Sequence, residues 1–221
     1  MIFRFDKKTS YNSNWLFVIH LPTILSEIIL PLLSRLRREI NNLKTMRKAI
    51  LYIASSLNGK IAKSDGSVDW LENIPNPNKL DYGYQKFYKK IGTTIQGYKT
   101  YEQVVNWDIP FPYADKENFV FTRKKDLKRS NDVRFITENH IEFTKALKEK
   151  SGRDIWVIGG GQINTLLFNA GLIDEIRVFV MPIVIPKGIE LFESIPKEKL
   201  LKLVDSKTHP TGVVEMIYEI H

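Results

Sequence analysis

The chain has 221 residues, 43% of them apolar and 26% charged, the balance of an ordinary globular protein long enough for one sizeable core. It has no cysteine, which excludes a disulfide framework and any thiolate metal site. The formal charge of +8 is split: residues 1–45 hold seven Lys and Arg against three acids, and the remainder 26 against 22, an excess too diffuse to favour nucleic acid over small anionic ligands.

In chain order, the first 45 residues differ in composition from the rest. Leu21, Ile24, Leu25, Ile28, Ile29, Leu32, Leu36, Ile40 and Leu43 recur at helical spacing, with Pro22 suited to a first turn. Pro31 is expected to kink or divide this helix. Arg35, Arg37, Arg38 and Lys44 follow the apolar part. His20, Pro22, Glu27 and Pro31 interrupt the stretch from Trp15 to Leu33, which speaks against a membrane span. A secretory signal is also a poor fit, because no small-residue cleavage site follows. Residues 15–44 therefore read as an amphipathic basic helix for a membrane surface, a partner or the domain itself. Met46, followed by the apolar run Ala49–Ala54, looks like a natural domain opening. The expected organisation is a helical extension over 1–45, upstream of a start at Met46, and one domain over 46–221.

Ala49–Ala54 is predicted to be a strand covered on both faces. Residues 55–67 break it in a turn-rich stretch, and Asn73–Asn78, with two prolines, cannot be regular structure. A loop this long suggests a flap over a site. Leu80, Tyr84, Phe87, Tyr88 and Ile91 predict a helix. Asp81 falls in its first turn, either as a dipole-favoured residue or as a carboxylate at the edge of a tyrosine-walled pocket. Thr93–Gly97 is the next strand, and Tyr98, Lys99 and Thr100 open the helix that follows.

Asn118–Thr122 is a strand ending in Arg123, Lys124 and Lys125, where a guanidinium could grip a phosphate monoester. A short strand at 133–136 and a helix built on Ile141, Phe143, Ala146 and Leu147, capped by Gly152, come next. Asp154–Ile158 is a buried strand that stops at Gly159, Gly160 and Gly161, before a helix begun by Gln162 and Ile163 and closed by Gly171. Alone, these glycines are either a turn or a diphosphate cradle. Paired with Gly97–Thr100 they are more informative, because two helix starts can grip one diphosphate from both sides. Glu175–Ile185 reads as a long strand with Pro182 marking a bulge or edge, and residues 200–208 and 213–220 as a hairpin. The order predicts an α/β sheet, mostly parallel, completed by antiparallel strands at one edge, with helices on both faces.

On these residues the body resembles the dihydrofolate reductase-like superfamily, and within it the reductase (RibD C-terminal) domain of riboflavin-biosynthesis proteins and its stand-alone relatives. The resemblance is carried by Ala54–Ala62, Gln96–Tyr101, Phe121–Arg123, Val157–Gly161 and Glu175–Phe192, in that order, over about residues 46–221. It implies NADPH as hydride donor, its diphosphate between Gly97, Tyr98, Lys99, Thr100 and Gly159, Gly160, Gly161, Gln162, Ile163, and its 2′-phosphate near Thr122 and Arg123. It places Asp81 as the catalytic, substrate-anchoring acid and proton source, with Ala54, Trp70 and Tyr84 beside the substrate. Relatives carry an acid where this chain has Asn58.

The expected function is a cytoplasmic NADPH-dependent reductase of a pterin-like or ribosylaminopyrimidine-like substrate. The alternatives are 5-amino-6-(5-phosphoribosylamino)uracil reductase itself and a non-catalytic nucleotide-binding module. No metal is expected. His20, His140, His209 and His221 are scattered and read as surface or turn residues. Nucleic-acid binding lacks an aromatic–basic platform. Homodimerisation through the long edge strand or hairpin is expected, as relatives commonly pair.

Overall fold

A computed structural model describes residues 25–44 and 46–220. The chain divides into two units, Met1–Thr45 and Met46–His221. In the first, a π-helical turn (Leu25–Ile29) runs into α1 (Leu30–Lys44). The change of helical form falls at Leu30, immediately before Pro31, whose missing N–H and fixed φ end the preceding hydrogen-bond pattern. Ile28, Leu32, Leu33 and Leu36 are exposed. Among the described residues no helix is long and apolar enough to cross a membrane. The expectations for residues 15–24 lie outside the described residues.

The second unit is built on β1 (Ala49–Ser56), β2 (Lys60–Lys63), β3 (Ile91–Gly97), β4 (Glu117–Phe121) and β5 (Arg134–Ile136). It continues with β6 (Asp154–Gly159), β7 (Glu175–Met181), β8 (Gly188–Glu190), β9 (Lys202–Thr208) and β10 (Val214–Glu219). Its helices are α2 (Tyr84–Lys90), α3 (Tyr98–Val105), α4 (His140–Glu149) and α5 (Gly161–Asn169). The main sheet has eight strands in the order β5-β4-β3-β6-β1-β7-β10-β9. From β5 to β7 all neighbours are parallel, and β10 is antiparallel to both β7 and β9. The predicted α/β architecture, mostly parallel with antiparallel edge strands, is the one observed.

Alternation along the strands feeds two cores. Leu51, Ile95, Phe119, Ile155 and Val157 face α4 and α5, which contribute Leu147, Leu167 and Phe168. Ile50 and Trp156 face the other way, onto Phe87 of α2 and Val104 of α3. Leu51, Ile95 and Leu167 are fully buried, each contributing about 2 kcal/mol of hydrophobic stabilisation. At the sheet's N-terminal edge Arg47 acts as a clasp. Its Nε donates to the Arg153 carbonyl at 2.5 Å and its Nη2 to the Thr93 hydroxyl. Burial pushes its pKa down, against the opposing charges of Glu117 and Asp154.

Four elements differ from expectation. Residues 60–63 form β2, which pairs antiparallel with β8, a partner too distant in sequence for local pattern to reveal. The expected strand over 175–185 stops at Met181, because Pro182 cannot donate to the ladder. α2 starts at Tyr84, after Gly83 in the left-handed region (φ 81), so Asp81 precedes the helix. α4 ends at Glu149 with Lys150 as its C-cap, before Gly152. The 63–79 loop is anchored, since Trp70 and Ile74 are buried against Phe179 and Met181.

Candidate functional site

Two strand ends decide where a ligand can sit. β3 leads through α3 to β4, on the face that carries Phe87 and Trp156. Its neighbour β6 leads through α5 to β7, on the opposite face and in the opposite direction along the sheet. Adjacent parallel strands whose chains depart to opposite faces leave a crevice at their carboxyl ends, the switch point at which open α/β sheets bind ligands.

Both glycine turns lie there, and they touch. The Gly160 N–H donates to Thr100 Oγ1 at 3.0 Å. A Cβ on Gly97 would meet Ile163 Cγ1 at 3.1 Å, so a larger residue there would crowd the contact between the two turns. Gly159 has φ 110, a conformation that L side chains rarely adopt, and its peptide bond to Gly160 is cis. Neither α3 nor α5 has a side-chain cap at its start, where the N-cap residues are Gly97 and Gly160. In α5 the Ile163 N–H turns back to the Gly160 carbonyl at 2.9 Å, which leaves the Gly161 and Gln162 amides of that first turn for an anion, and both helix dipoles favour negative charge at this place. Gly161 has another task. A Cβ there would lie 2.3 Å from the Glu190 carbonyl oxygen, so it admits the 190–193 segment beside α5.

The cradle continues onto β4. Thr122 is buried at the strand's end, and its Oγ1 accepts the Lys124 N–H at 3.0 Å, which shapes the basic loop. Arg123 is exposed. The Lys124 ammonium lies 4.0 Å over the Tyr98 ring, joining α3 to the same loop. Lys99 and Gln162 are exposed at the two helix starts. The structure thus brings Gly97, Tyr98, Thr100, Gly159, Gly160 and Ile163 together, with Lys99, Gln162, Thr122 and Arg123 around them. Sequence reading missed two side chains here. Gln96, fully buried, has neither amide atom hydrogen-bonded among the described residues, and Asn164 Oδ1 is also without a partner there. Unused polar capacity beside a crevice fits a polar ligand such as a dinucleotide diphosphate. An amide in an otherwise β-branched strand, Thr93-Thr94-Ile95-Gln96, was the available signal.

The expected substrate side is assembled only in part. Ala54 and Trp70 share a cluster with Tyr52, Tyr82 and Phe179. Tyr84 joins through Tyr52, ring centres 6.3 Å apart, and Tyr52 also stacks on Phe87 at 4.0 Å. Burial pushes the Tyr52 and Tyr84 hydroxyls up from their ordinary pKa, so both stay protonated donors. Trp70 is 1% exposed, part of the core rather than a mobile flap, and its Nε1 has no partner among the described residues. A cleft of about 550 Å³ opens on its other side, lined by Lys63, Asp65, Ile183, Ile185 and Lys187.

Of the two readings of Asp81, the structure shows an acid at the helix start, exposed in front of α2. Its side chain is exposed, accepting the Gly83 N–H at 3.0 Å and the Gln85 N–H at 3.2 Å in front of α2. These backbone donors hold its pKa below the usual carboxylate range, leaving it ionised and a poor proton source at neutral pH. Asn58 is a staple between segments: it accepts the Ile185 N–H at 3.1 Å and donates to the Ile185 carbonyl at 2.9 Å, which a carboxylate could not do. Two histidines are packed against neighbours, His209 buried and His140 half-buried. His140 stacks on Phe121 at 4.5 Å, and His209 is buried with Nε2 3.3 Å from Glu215. Among the described residues no group of acids and histidines is arranged to hold a metal.

Comparison with known proteins gives one matching family, the RibD C-terminal domain, over residues 47–215. YwjB of Bacillus subtilis, an uncharacterized protein, is 41% identical over 161 residues, 73% of this chain and 91% of its own. A provisionally described riboflavin biosynthesis protein of Shewanella sp. PV-4 superimposes with a TM-score of 0.71 at 25% identity, over 79% of this chain and 99% of its own. Dihydrofolate reductase from Enterococcus faecalis, complexed with NADP(H), shares the fold, with a TM-score of 0.58 at 16% identity over 80% of this chain and 98% of its own.

Proposed function

We propose, from the premise that the chain belongs to the RibD C-terminal domain family, that it is a reductase moving hydride from NADPH to a small pterin-like or ribosylaminopyrimidine-like heterocycle. The observation that carries this reading is the contact of Thr100 Oγ1 with the Gly160 N–H, 3.0 Å, which fuses two uncapped helix starts into one anion grip at the switch point. The likeness of fold to a reductase complexed with NADP(H) supports the choice of cofactor.

When bound, the nicotinamide cofactor supplies the hydride. The chain's own residues grip, select and exclude water. Amides at the starts of α3 and α5 neutralise the diphosphate, and the Thr100 hydroxyl, already accepting from Gly160, has its own hydrogen left to donate. Lys99 and Gln162 flank this grip, and Tyr98 with Lys124 walls it on the β4 side. Arg123 would hold the 2′-phosphate, which a guanidinium can bond with two N–H groups and a lysine cannot. Ala54, Tyr84 and the Trp70 cluster form the apolar wall against which the substrate ring packs.

Calorimetry tests the reading: NADPH should bind in the micromolar range, and no heat with millimolar NADPH sinks it. Arg123→Ala is expected to raise the Kd for NADPH about tenfold or more and that for NADH less than twofold. Equal effects on both would remove Arg123 as the selector.

A homodimer in the cytoplasm belongs to the same proposal. β9 is an exposed edge strand with Leu203 and Val204 in solvent, an open ladder that a second copy can cover. Light scattering should return a mass near twice 25.7 kDa, and a monomer at 0.1 mM would refute it.

A further inference from the structure

The sheet face that carries Ala54 continues across β7 and β10. In register, Ala54 stands beside Phe179 and Phe179 beside Glu215. In the next row Tyr52 stands beside Arg177. Strand alternation puts all five on one face, and the Tyr52 and Phe179 rings lie 4.8 Å apart. On this face Arg177 Nη2 contacts Glu175 Oε1 at 3.0 Å, and Arg177 Nη1 lies 4.0 Å from Glu215 Oε1. His209 Nε2 holds the other Glu215 oxygen at 3.3 Å, and the Tyr82 ring meets His209 edge-on at 5.0 Å.

Arg177 serves two carboxylates, Glu175 at 3.0 Å and Glu215 at 4.0 Å, and His209 meets the second. The Tyr52 hydroxyl is pushed up by burial first and then by Glu215. Shielded ion pairs give little net stability because desolvation offsets attraction. The Arg177 Nε, buried, has no partner among the described residues. Aromatic rings with a shielded carboxylate beside them suit a flat ring that is cationic or rich in N–H donors. Glu175 and Glu215 are equally shielded, each with a side chain 13% exposed, but Glu175 is paired with Arg177 at 3.0 Å and Asp81 is occupied in capping α2, whereas Glu215 stands 4.0 Å from Arg177 in the row of Ala54 and Phe179.

We propose that Glu215 anchors the substrate, receiving the N–H edge of a protonatable amino-heterocycle, with Arg177 and His209 as its positioning residues. This rests on the reductase reading and narrows its substrate to rings that present adjacent N–H donors.

The test uses the full chain saturated with NADPH and a 2,4-diaminopteridine as probe, because its neutral and protonated rings differ in ultraviolet absorption. The wild type should bind the probe as the protonated ring. Glu215→Gln should weaken the probe at least about tenfold and bind it neutral, a spectral change that a merely structural residue would not cause. Asp81→Asn should change probe affinity less than about twofold, and NADPH affinity should hold in both variants. If Glu215→Gln does not fold, Glu215→Asp carries the test, with severalfold weaker binding but the protonated spectrum retained. Loss of the probe in Asp81→Asn with Glu215→Gln unaffected overturns the proposal. So does a wild type that binds NADPH but no probe, which leaves the reductase reading standing. A wild type that binds no NADPH overturns both.

Discussion

Thr100→Val should weaken NADPH binding about thirtyfold or more while the protein keeps its fold. The substitution preserves volume and removes two functions of one oxygen. Thr100 Oγ1 is the acceptor for the Gly160 N–H at 3.0 Å in a part-buried setting. Without it, that amide loses its partner and the two turns lose the bond that sets their spacing. An unsatisfied buried donor costs about 1–3 kcal/mol, and a lost hydrogen bond to a charged phosphate about 1.5–3 kcal/mol. Part of the first cost falls on the free protein, so a net loss of about 2 kcal/mol in binding is the working figure, near thirtyfold. Thr100→Ser should restore most of the affinity, since it keeps the oxygen. Titration calorimetry on the three proteins measures this directly. Equal affinity in all of them would mean that the joined turns are a structural joint only.

The largest stability effect is expected from Gly161→Ala. The added methyl would sit 2.3 Å from the Glu190 carbonyl oxygen and 2.7 Å from Glu193 Cγ. A side chain can swing away, but the carbonyl cannot, because its segment is paired with β2 at Glu190 and tied to α5 just after it. Asn164 Nδ2 donates to the Leu191 carbonyl at 2.8 Å, Thr165 Oγ1 donates to the Glu193 carbonyl at 2.5 Å, and the Lys197 N–H donates to Asn169 Oδ1 at 2.7 Å. Relieving the clash means loosening this seam. The expected cost is about 3 kcal/mol or more, a fall in Tm of roughly 6–12 °C for a chain of this size. Gly66→Ala is the control: its φ of 90 strains a side chain, but nothing lies within 4 Å, so about 1 kcal/mol is expected. A Gly161→Ala protein that melts with the wild type would show that the seam yields freely.

These two glycine-rich turns illustrate how far sequence reading reached. Both were legible because each is a local signal: a β-branched strand halted by glycine and followed by helical spacing. The roles within the Gly159–Gly161 run were not legible, since three identical residues carry three different duties. Gly159 supplies a left-handed φ, Gly160 an amide for Thr100, and Gly161 room for a passing backbone. Asp81 shows the opposite limit. Its position in the chain matched a family pattern, but the left-handed turn at Gly83 moved the helix start and left the carboxylate in solvent. His209 and Glu215 drew little notice as residues beside a hairpin turn, and only their burial against Tyr82 and Arg177 gave them weight.

The sequence by itself determined the order of the main-sheet strands and their helices, the fold class and the two glycine turns that open helices. Those depend on periodicity, on glycine and proline, and on neighbours a few residues apart. Tertiary structure alone decided that β3 and β6 are adjacent, so that Thr100 meets Gly160, and that β2 finds β8. It also decided that Glu215 is shielded and Asp81 is not. Such facts depend on which distant segments pair and in what register, because a shift of one residue would turn each side chain to the other face of the sheet.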